Sequence, residues 1–151
     1  MTKSYYLHPA GYPTRGAVID VGLKCMHRCK FCYYSYLDGS DDQFKGMRRA
    51  DFRTKEHIFK LIDSLVASGF LHADITGGEP TLHPDIVEII KYASDRGLAT
   101  RIITLGQYLM RRMHKSEKVL LDELIDNGVT NFLMSMHQVH EEKMMELTGG
   151  S

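Results

Sequence analysis

Residues 25–32 read CMHRCKFC and hold all three cysteines of the 151-residue chain. The spacing, C-x3-C-x2-C, allows three thiolates to converge on one point from a single loop. A four-iron cluster ordinarily binds one Cys thiolate at each iron, so three ligands leave one iron open to a non-protein ligand. The stretch therefore indicates an iron–sulfur site that acts on whatever binds at the open iron.

Two other interpretations of the cysteines stay open at this point. Zinc prefers four tetrahedral ligands, and His27 could be the fourth, although it has a cramped position inside the first spacer. Three structural thiols without a metal are the second alternative. Apart from the zinc alternative, His27 and Arg28 are expected to be exposed loop residues near the cysteines. An odd, tightly grouped set of cysteines does not resemble a disulfide framework and fits a reducing compartment.

Length and composition indicate one globular domain. The hydrophobic fraction of 43% and the charged fraction of 25% are ordinary, and the net charge of zero argues against a nucleic-acid partner. No apolar run approaches the roughly 18 residues that a membrane span needs, and the first residues lack the apolar segment of a signal peptide. We therefore expect a cytoplasmic protein with no membrane or nucleic-acid partner.

Outward from the cysteines, apolar β-branched segments alternate with segments of helical period. The predicted strands are residues 17–22, 70–76, 99–105 and 130–137, and the predicted helices begin after the cap Thr54, with Pro84 in the first turn, after the cap Ser116, and at His140. Residues 1–16 contain two prolines and two glycines and predict an extended lead-in. The alternation predicts an α/β fold of parallel strands with right-handed crossovers over residues 17–151.

A second motif, Gly77-Gly78-Glu79-Pro80, follows the second predicted strand. Adjacent glycines permit close backbone approach, and Pro80 biases Glu79 toward extended geometry. A carboxylate fixed in this way could meet the ammonium group of a ligand, and a plain strand-to-helix turn is the alternative. Ligands of parallel β/α folds bind at the carboxyl ends of the strands, so the motif and the cysteines are expected to form one site.

The two motifs together resemble the signature of the radical S-adenosylmethionine (SAM) superfamily. Phe31 fills the aromatic position before the last cysteine, and residues 76–84, TGGEPTLHP, are similar to the GGEP-type motif of the family. The resemblance implies an open partial barrel, of which this chain supplies the first four of six β/α units. We therefore expect the chain to be the N-terminal part of the core of a longer enzyme.

The resemblance also implies which residues form the site. Cys25, Cys29 and Cys32 would hold a [4Fe-4S] cluster, and the amino and carboxylate groups of SAM would chelate its fourth iron. The implied SAM contacts are Phe31 through its backbone, Gly77, Gly78, Glu79, Pro80, Thr104, Ser135 and His137. Thr104 departs from the family pattern, which often has Thr-Asn-Gly where this chain has Thr-Leu-Gly. For His137 an ordinary strand-end histidine is the alternative.

The activity implied is reductive cleavage of SAM to a 5′-deoxyadenosyl radical, which abstracts a hydrogen atom from a substrate. An oxidoreductase or maturase of this type would receive its electron from a donor such as flavodoxin or ferredoxin and act on a peptide, a cofactor precursor or another small molecule. The alternative is a zinc-binding interaction module without catalysis, and a third hypothesis is a fragment that folds without holding SAM.

The fourth predicted strand, residues 130–137, contains two methionines. Met134 and Met136 lie two residues apart, and methionine often fills gaps in cores, so we expect them to pack in the core.

Overall fold

The computed structural model describes residues 16–29, 31, 32, 34, 51–113 and 117–149, and within them four strands alternate with four helices. The strands are β1 (Gly16–Asp20), β2 (His72–Thr76), β3 (Ala99–Thr104) and β4 (Asn131–Met134), and the helices are α1 (Lys55–Ala67), α2 (Ile86–Asp95), α3 (Leu120–Asp126) and α4 (Glu141–Thr148). A 3₁₀ turn, Pro80–Leu82, lies between β2 and α2. The predicted lead-in lies outside the described residues, except that Gly16 is the first residue of β1.

The strands form one parallel sheet in the order β1-β2-β3-β4. Their registers place Asp20 beside Thr76 and Thr104 beside Met134, so the carboxyl ends of the strands lie together at one end of the sheet. The loops that carry the cysteines and the Gly-Gly-Glu-Pro motif therefore leave the sheet at the same end. The predicted α/β fold, a partial barrel of parallel β/α units, is confirmed.

The hydrophobic core lies between one face of this sheet and the helices. Alternate strand residues, among them Ile19, Ile75 and Ile102, are buried against the apolar faces of α1 and α2. Burying one such side chain contributes about 1.5–3 kcal/mol. On the other face the Arg101 guanidinium donates to the Asp74 carboxylate, with Nε 2.9 Å from Oδ1. In the part of the chain that the structure describes, no helix is long and apolar enough to cross a membrane.

Local sequence explains where the first helix begins. The Thr54 hydroxyl accepts a hydrogen bond from the His57 amide at 3.3 Å, as a helix N-cap does. The helix is followed by Gly69 at φ 77°, a conformation that glycine adopts without strain. The cap at Thr54 is thus confirmed.

The first strand ends two residues earlier than predicted and the second begins two residues later. Three further predicted boundaries are wrong or lie outside the described residues. β4 ends at Met134 because the Met136 amide turns back to the Met134 carbonyl at 3.0 Å, which leaves Ser135 and His137 in the following loop. α2 begins at Ile86, beyond Pro84, because the His83 side chain holds the intervening backbone in a turn. α3 begins at Leu120, and its predicted cap, Ser116, is not among the described residues.

The expectation that Met134 and Met136 fill the core is also wrong. Their side chains are 44% and 69% exposed. β4 pairs with β3 on one side and is an edge strand of the sheet that the structure describes. Phe132, on the same strand, does pack against the core.

Candidate active site

A cavity of ≈ 240 Å³ opens at the carboxyl ends of the strands. The predicted site residues that line it are Cys25, Cys29, Phe31, Cys32, Gly77, Gly78, Glu79, Thr104, Ser135 and His137. Pro80 is the one predicted site residue outside this lining, and it is buried at the start of the 3₁₀ turn. The structure therefore brings residues from four separate loops to one cavity.

The cysteine loop is compact and its thiols are half-buried. The Cys32 amide donates to the Cys29 carbonyl at 3.1 Å, which closes a tight turn between two of the thiols. The His27 amide donates to the Cys25 sulfur at 3.4 Å. Hydrogen bonds to the sulfur ligands are among the features that set the reduction potential of an iron–sulfur cluster.

The donor set fits a four-iron cluster. Three thiols line one cavity, and in such a cluster each thiolate binds a different iron. Among the described residues, no three His, Cys, Asp or Glu side chains meet in the compact group that one metal ion requires. The expectation that His27 is exposed is wrong, since only 4% of its surface is accessible.

The Gly-Gly motif packs directly on the entry of the cysteine loop. The Gly78 amide donates to the Gly22 carbonyl at 2.8 Å, and the Glu79 amide donates to the Lys24 carbonyl at 3.0 Å. A Cβ atom added to Gly78 would lie 2.2 Å from the Lys24 oxygen, and Gly77 has a φ of 141° that favours glycine. The close approach that these glycines permit is thus between two segments of this protein.

Glu79 is 2% exposed, and its carboxylate accepts four hydrogen bonds. Oε1 accepts from the Thr81 amide at 3.1 Å, from the Thr81 hydroxyl, and from the Thr104 hydroxyl at 2.6 Å. Oε2 accepts from the Leu105 amide at 3.1 Å. These bonds join the ends of β2 and β3, and they leave Oε2 with room for a further donor.

Thr104 holds Glu79 in place. Its hydroxyl donates its one proton to Glu79 and accepts from the Gly106 amide at 2.9 Å. A threonine hydroxyl has a single proton to donate, so Thr104 has none left for a ligand. Its position supports a positioning role at the cavity wall.

Phe31 and His137 form one wall of the cavity. Their ring centroids are 4.0 Å apart with an interplanar angle of 53°. Phe31 comes from the cysteine loop and His137 from the loop after β4, where the Ser135 amide donates to the Thr104 carbonyl at 2.9 Å. The residues predicted at the end of the fourth strand therefore reach the cysteines.

Sequence reasoning missed two residues that close the cysteine loop. Asp20 Oδ1 accepts from the Gly22 amide at 2.8 Å, and Oδ2 accepts from the Tyr34 hydroxyl at 2.8 Å. The carboxylate thereby joins the start of the loop to its end. An acidic residue that ends an otherwise apolar strand was the available signal for Asp20.

Tyr108 is a further neighbour of the cysteine loop that the sequence did not reveal. Its hydroxyl donates to the Met26 sulfur at 3.0 Å. Burial raises the pKa of the Tyr108 phenol, and the charges of Glu79 and Cys25 raise it further. The phenol therefore stays protonated, as a hydrogen-bond donor, at neutral pH.

His83 belongs to the stretch that resembles the family motif, but it does not line the cavity and has a structural role. Its Nδ1 accepts from the Asp85 amide at 3.0 Å. Its Nε2 must then carry the proton, and it donates to the Arg53 carbonyl at 2.8 Å. The ring ties the loop before α2 to the segment that leads into α1.

Comparison with known proteins agrees with this geometry. The model of the radical SAM superfamily matches residues 19–151. PqqA peptide cyclase of Bradyrhizobium diazoefficiens is 30% identical over 82% of this chain and 29% of that protein. GTP 3′,8-cyclase of Microcystis aeruginosa is 33% identical over 83% of this chain and 35% of that protein. The S-adenosylmethionine-dependent nucleotide dehydratase of Flammeovirga pacifica is 32% identical over 80% of this chain and 42% of that protein.

Solved structures show the same fold. Streptococcus suis SuiB bound to S-adenosylmethionine superposes with a TM-score of 0.67 at 20% identity, over 91% of this chain and 28% of that one. The chain thus spans less than half the length of these relatives. The cofactors that the family implies are a [4Fe-4S] cluster and SAM. The family match over residues 19–151, together with the three cysteines and residues 77–79 in one cavity, shows that this chain belongs to the radical SAM superfamily.

Proposed function

We propose that this chain is the cofactor-binding part of a radical SAM enzyme. Cys25, Cys29 and Cys32 hold the [4Fe-4S] cluster, and SAM lies in the cavity beside it. The observation that carries this proposal is the shared lining of one cavity by the three thiols and by Gly77, Gly78 and Glu79. When bound, the cluster and SAM supply reductive cleavage of SAM to a 5′-deoxyadenosyl radical for hydrogen abstraction.

The residues around the cavity have distinct proposed roles. Glu79 Oε2 accepts a hydrogen bond from the ammonium group of SAM, because Glu79 lines the cavity and the Leu105 amide is the one donor to Oε2 among the described residues. Thr104 orients that carboxylate. Phe31 and His137 flank the adenine, Ser135 provides a polar contact, and Pro80 acts indirectly by fixing Glu79.

For the substrate and the electron donor, we propose a chemical class and not a particular molecule. The names of the relatives divide between peptides and nucleotides, and we propose an organic substrate from one of these two classes. A one-electron donor such as flavodoxin or ferredoxin would reduce the cluster. No observation on the described residues favours the alternative of a zinc-binding module.

Metal content tests this proposal. Anaerobic reconstitution is expected to give about four irons and four sulfides per chain, the stoichiometry of a [4Fe-4S] site. Cys29→Ala is expected to lose the iron, while Met26→Ala, an exposed change in the same loop, is expected to retain it. Stoichiometric zinc with no iron uptake would contradict the proposal.

A further inference from the structure

The residues before the three ligand cysteines are anchored by two other parts of the fold. Lys24, before Cys25, accepts through its carbonyl from the Glu79 amide. Arg28, before Cys29, and Phe31, before Cys32, are instead held by the chain that follows β4. The anchoring of the second and third cysteines from this segment was not visible in the sequence.

The contact at Arg28 is made by the end of α4. The Arg28 amide donates to the Thr148 carbonyl at 2.8 Å. Thr148 is the one buried residue of α4, at 2% exposure. The rest of that helix is exposed or half-buried, so its buried end is fixed to the fold at the cysteine loop.

Gly149 makes this approach possible. It ends α4 with a φ of 60°, and a Cβ atom added there would lie 3.2 Å from the Arg28 Cβ and 3.3 Å from the Arg28 oxygen. Both distances are tighter than ordinary van der Waals contacts. A side chain at this position would push the helix end and the cysteine loop apart.

The contact at Phe31 is made from the other end of the same segment. The His137 ring packs on the Phe31 ring with centroids 4.0 Å apart. Residues 137–149 thus touch the cysteine loop at two points, one directly before Cys29 and one directly before Cys32. Neither contact involves a thiol, so neither needs iron to form.

We propose that the segment His137–Gly149 is a brace that positions Cys29 and Cys32 for the cluster. This inference rests on the proposed function, because it assigns a purpose to the contacts only if the cysteines bind iron. Within the brace, His137, Thr148 and Gly149 are the positioning residues, and they act on the cluster through Arg28 and Phe31. The brace is expected to slow the loss of iron from the loaded protein and to protect the loop in the protein without iron.

Two matched pairs of variants test the brace. Gly149→Val adds a side chain against Arg28, whereas Gly97→Val adds the same side chain at a φ of 75° with nothing within 4 Å. His137→Ala removes the ring that contacts Phe31, and His140→Ala changes an exposed histidine whose side chain makes no helix-capping hydrogen bond. The two glycine variants carry similar backbone strain, so a difference between them reports the contact with Arg28.

The first readout needs no iron. In the protein without cluster, hydrogen exchange of the Arg28 amide is expected to rise about tenfold in Gly149→Val, as for the loss of one hydrogen bond, and to stay unchanged in Gly97→Val. The second readout is the rate at which a chelator removes iron from the reconstituted protein. That rate is expected to rise in Gly149→Val and in His137→Ala above the rates of their controls.

The outcomes separate the brace from the proposed function. A wild-type protein that takes up no iron would overturn the proposed function. Hydrogen exchange of the Arg28 amide would still decide whether the end of α4 holds the cysteine loop. A loaded protein whose Gly149→Val and His137→Ala variants release iron no faster than the controls would overturn the brace. If Gly149→Val does not fold, His137→Ala against His140→Ala decides by the same release rate.

Discussion

The Gly78 amide donates a hydrogen bond to the Gly22 carbonyl at 2.8 Å, and this bond continues the pairing of β1 with β2 beyond the ends of both strands. It joins the Gly-Gly-Glu-Pro motif to the entry of the cysteine loop. The two motifs are therefore one structural unit, in which the position of the first cysteine depends on the backbone of the second motif.

Replacing Gly78 is expected to displace the cysteine loop. In Gly78→Ala the added methyl group would lie 2.2 Å from the Lys24 oxygen and 2.5 Å from the Leu23 oxygen. Overpacking of this kind typically costs about 1–3 kcal/mol, and the iron content after reconstitution should fall. The control Gly97→Ala has open space around its methyl group and should keep its iron. Wild-type iron content in Gly78→Ala would show that the loop tolerates the displacement.

Removing the charge of Glu79 is expected to weaken SAM binding and to leave the cluster in place. Glu79→Gln keeps an acceptor for the donors on Oε1 but loses the charge-assisted bond to the ligand ammonium. Such a bond contributes about 1.5–3 kcal/mol, or about 10- to 150-fold in affinity. Titration with SAM measures the affinity, and the visible spectrum monitors the cluster. An unchanged affinity would mean that the ammonium binds elsewhere.

Truncating the same side chain should destabilise the fold as well. Glu79→Ala leaves the amides of Thr81 and Leu105 and the hydroxyl of Thr104 without their acceptor. A buried donor that loses its partner costs about 1–3 kcal/mol. The free energy of unfolding in urea should therefore fall more in Glu79→Ala than in Glu79→Gln. Equal stability of the two variants would show that the hydrogen bonds of Glu79 do not hold β2 and β3 together.

His83 is expected to matter for stability and not for ligand binding. His83→Leu removes the acceptor of the Asp85 amide and the donor to the Arg53 carbonyl. The cost should be about 1–3 kcal/mol for each buried group left unpaired, measured by urea denaturation. The exposed His57, substituted in the same way, is the control. A variant as stable as the wild type would show that His83 does not hold this loop.

Local patterns were sufficient to predict the order of elements and the edge where the site lies. The predicted starts of the third and fourth strands, at residues 99 and 130, lie within one residue of Ala99 and Asn131. The apolar, β-branched composition of these segments is a local property, and so is the cap at Thr54. Because the carboxyl ends of parallel strands lie at the same end of a sheet, the loops could be predicted to meet there without knowledge of their contacts.

Contacts between distant residues were not predictable in this way. The burial of His27, the bond from Tyr34 to Asp20 and the bond from Arg28 to Thr148 each depend on how separate elements pack. The true end of β4 was missed for a related reason. Met136 continues the apolar alternation, but its amide turns back to Met134 and leaves its side chain exposed.

The apolar edge at β4 is expected to make this 151-residue chain associate with itself. Leu133, Met134 and Met136 have large exposed side chains, and within the described sheet β4 pairs on one side only. Exposed apolar strand edges promote pairing between chains. Sedimentation velocity over a range of concentrations should show dimers or larger species, and Leu133→Lys should reduce them. A monomer that also cleaves SAM at an ordinary enzymatic rate would show that the four β/α units suffice.

The central claim is that the three cysteines and the Gly77–Glu79 backbone form one site, in which SAM binds to the open iron of a [4Fe-4S] cluster. The most direct measurement is electron paramagnetic resonance of the reduced, reconstituted protein before and after addition of SAM. Binding of SAM to the open iron is predicted to change the g values of the reduced cluster in the wild type, and to require more SAM to do so in Glu79→Gln. A reduced cluster whose spectrum is the same with saturating SAM would contradict the account.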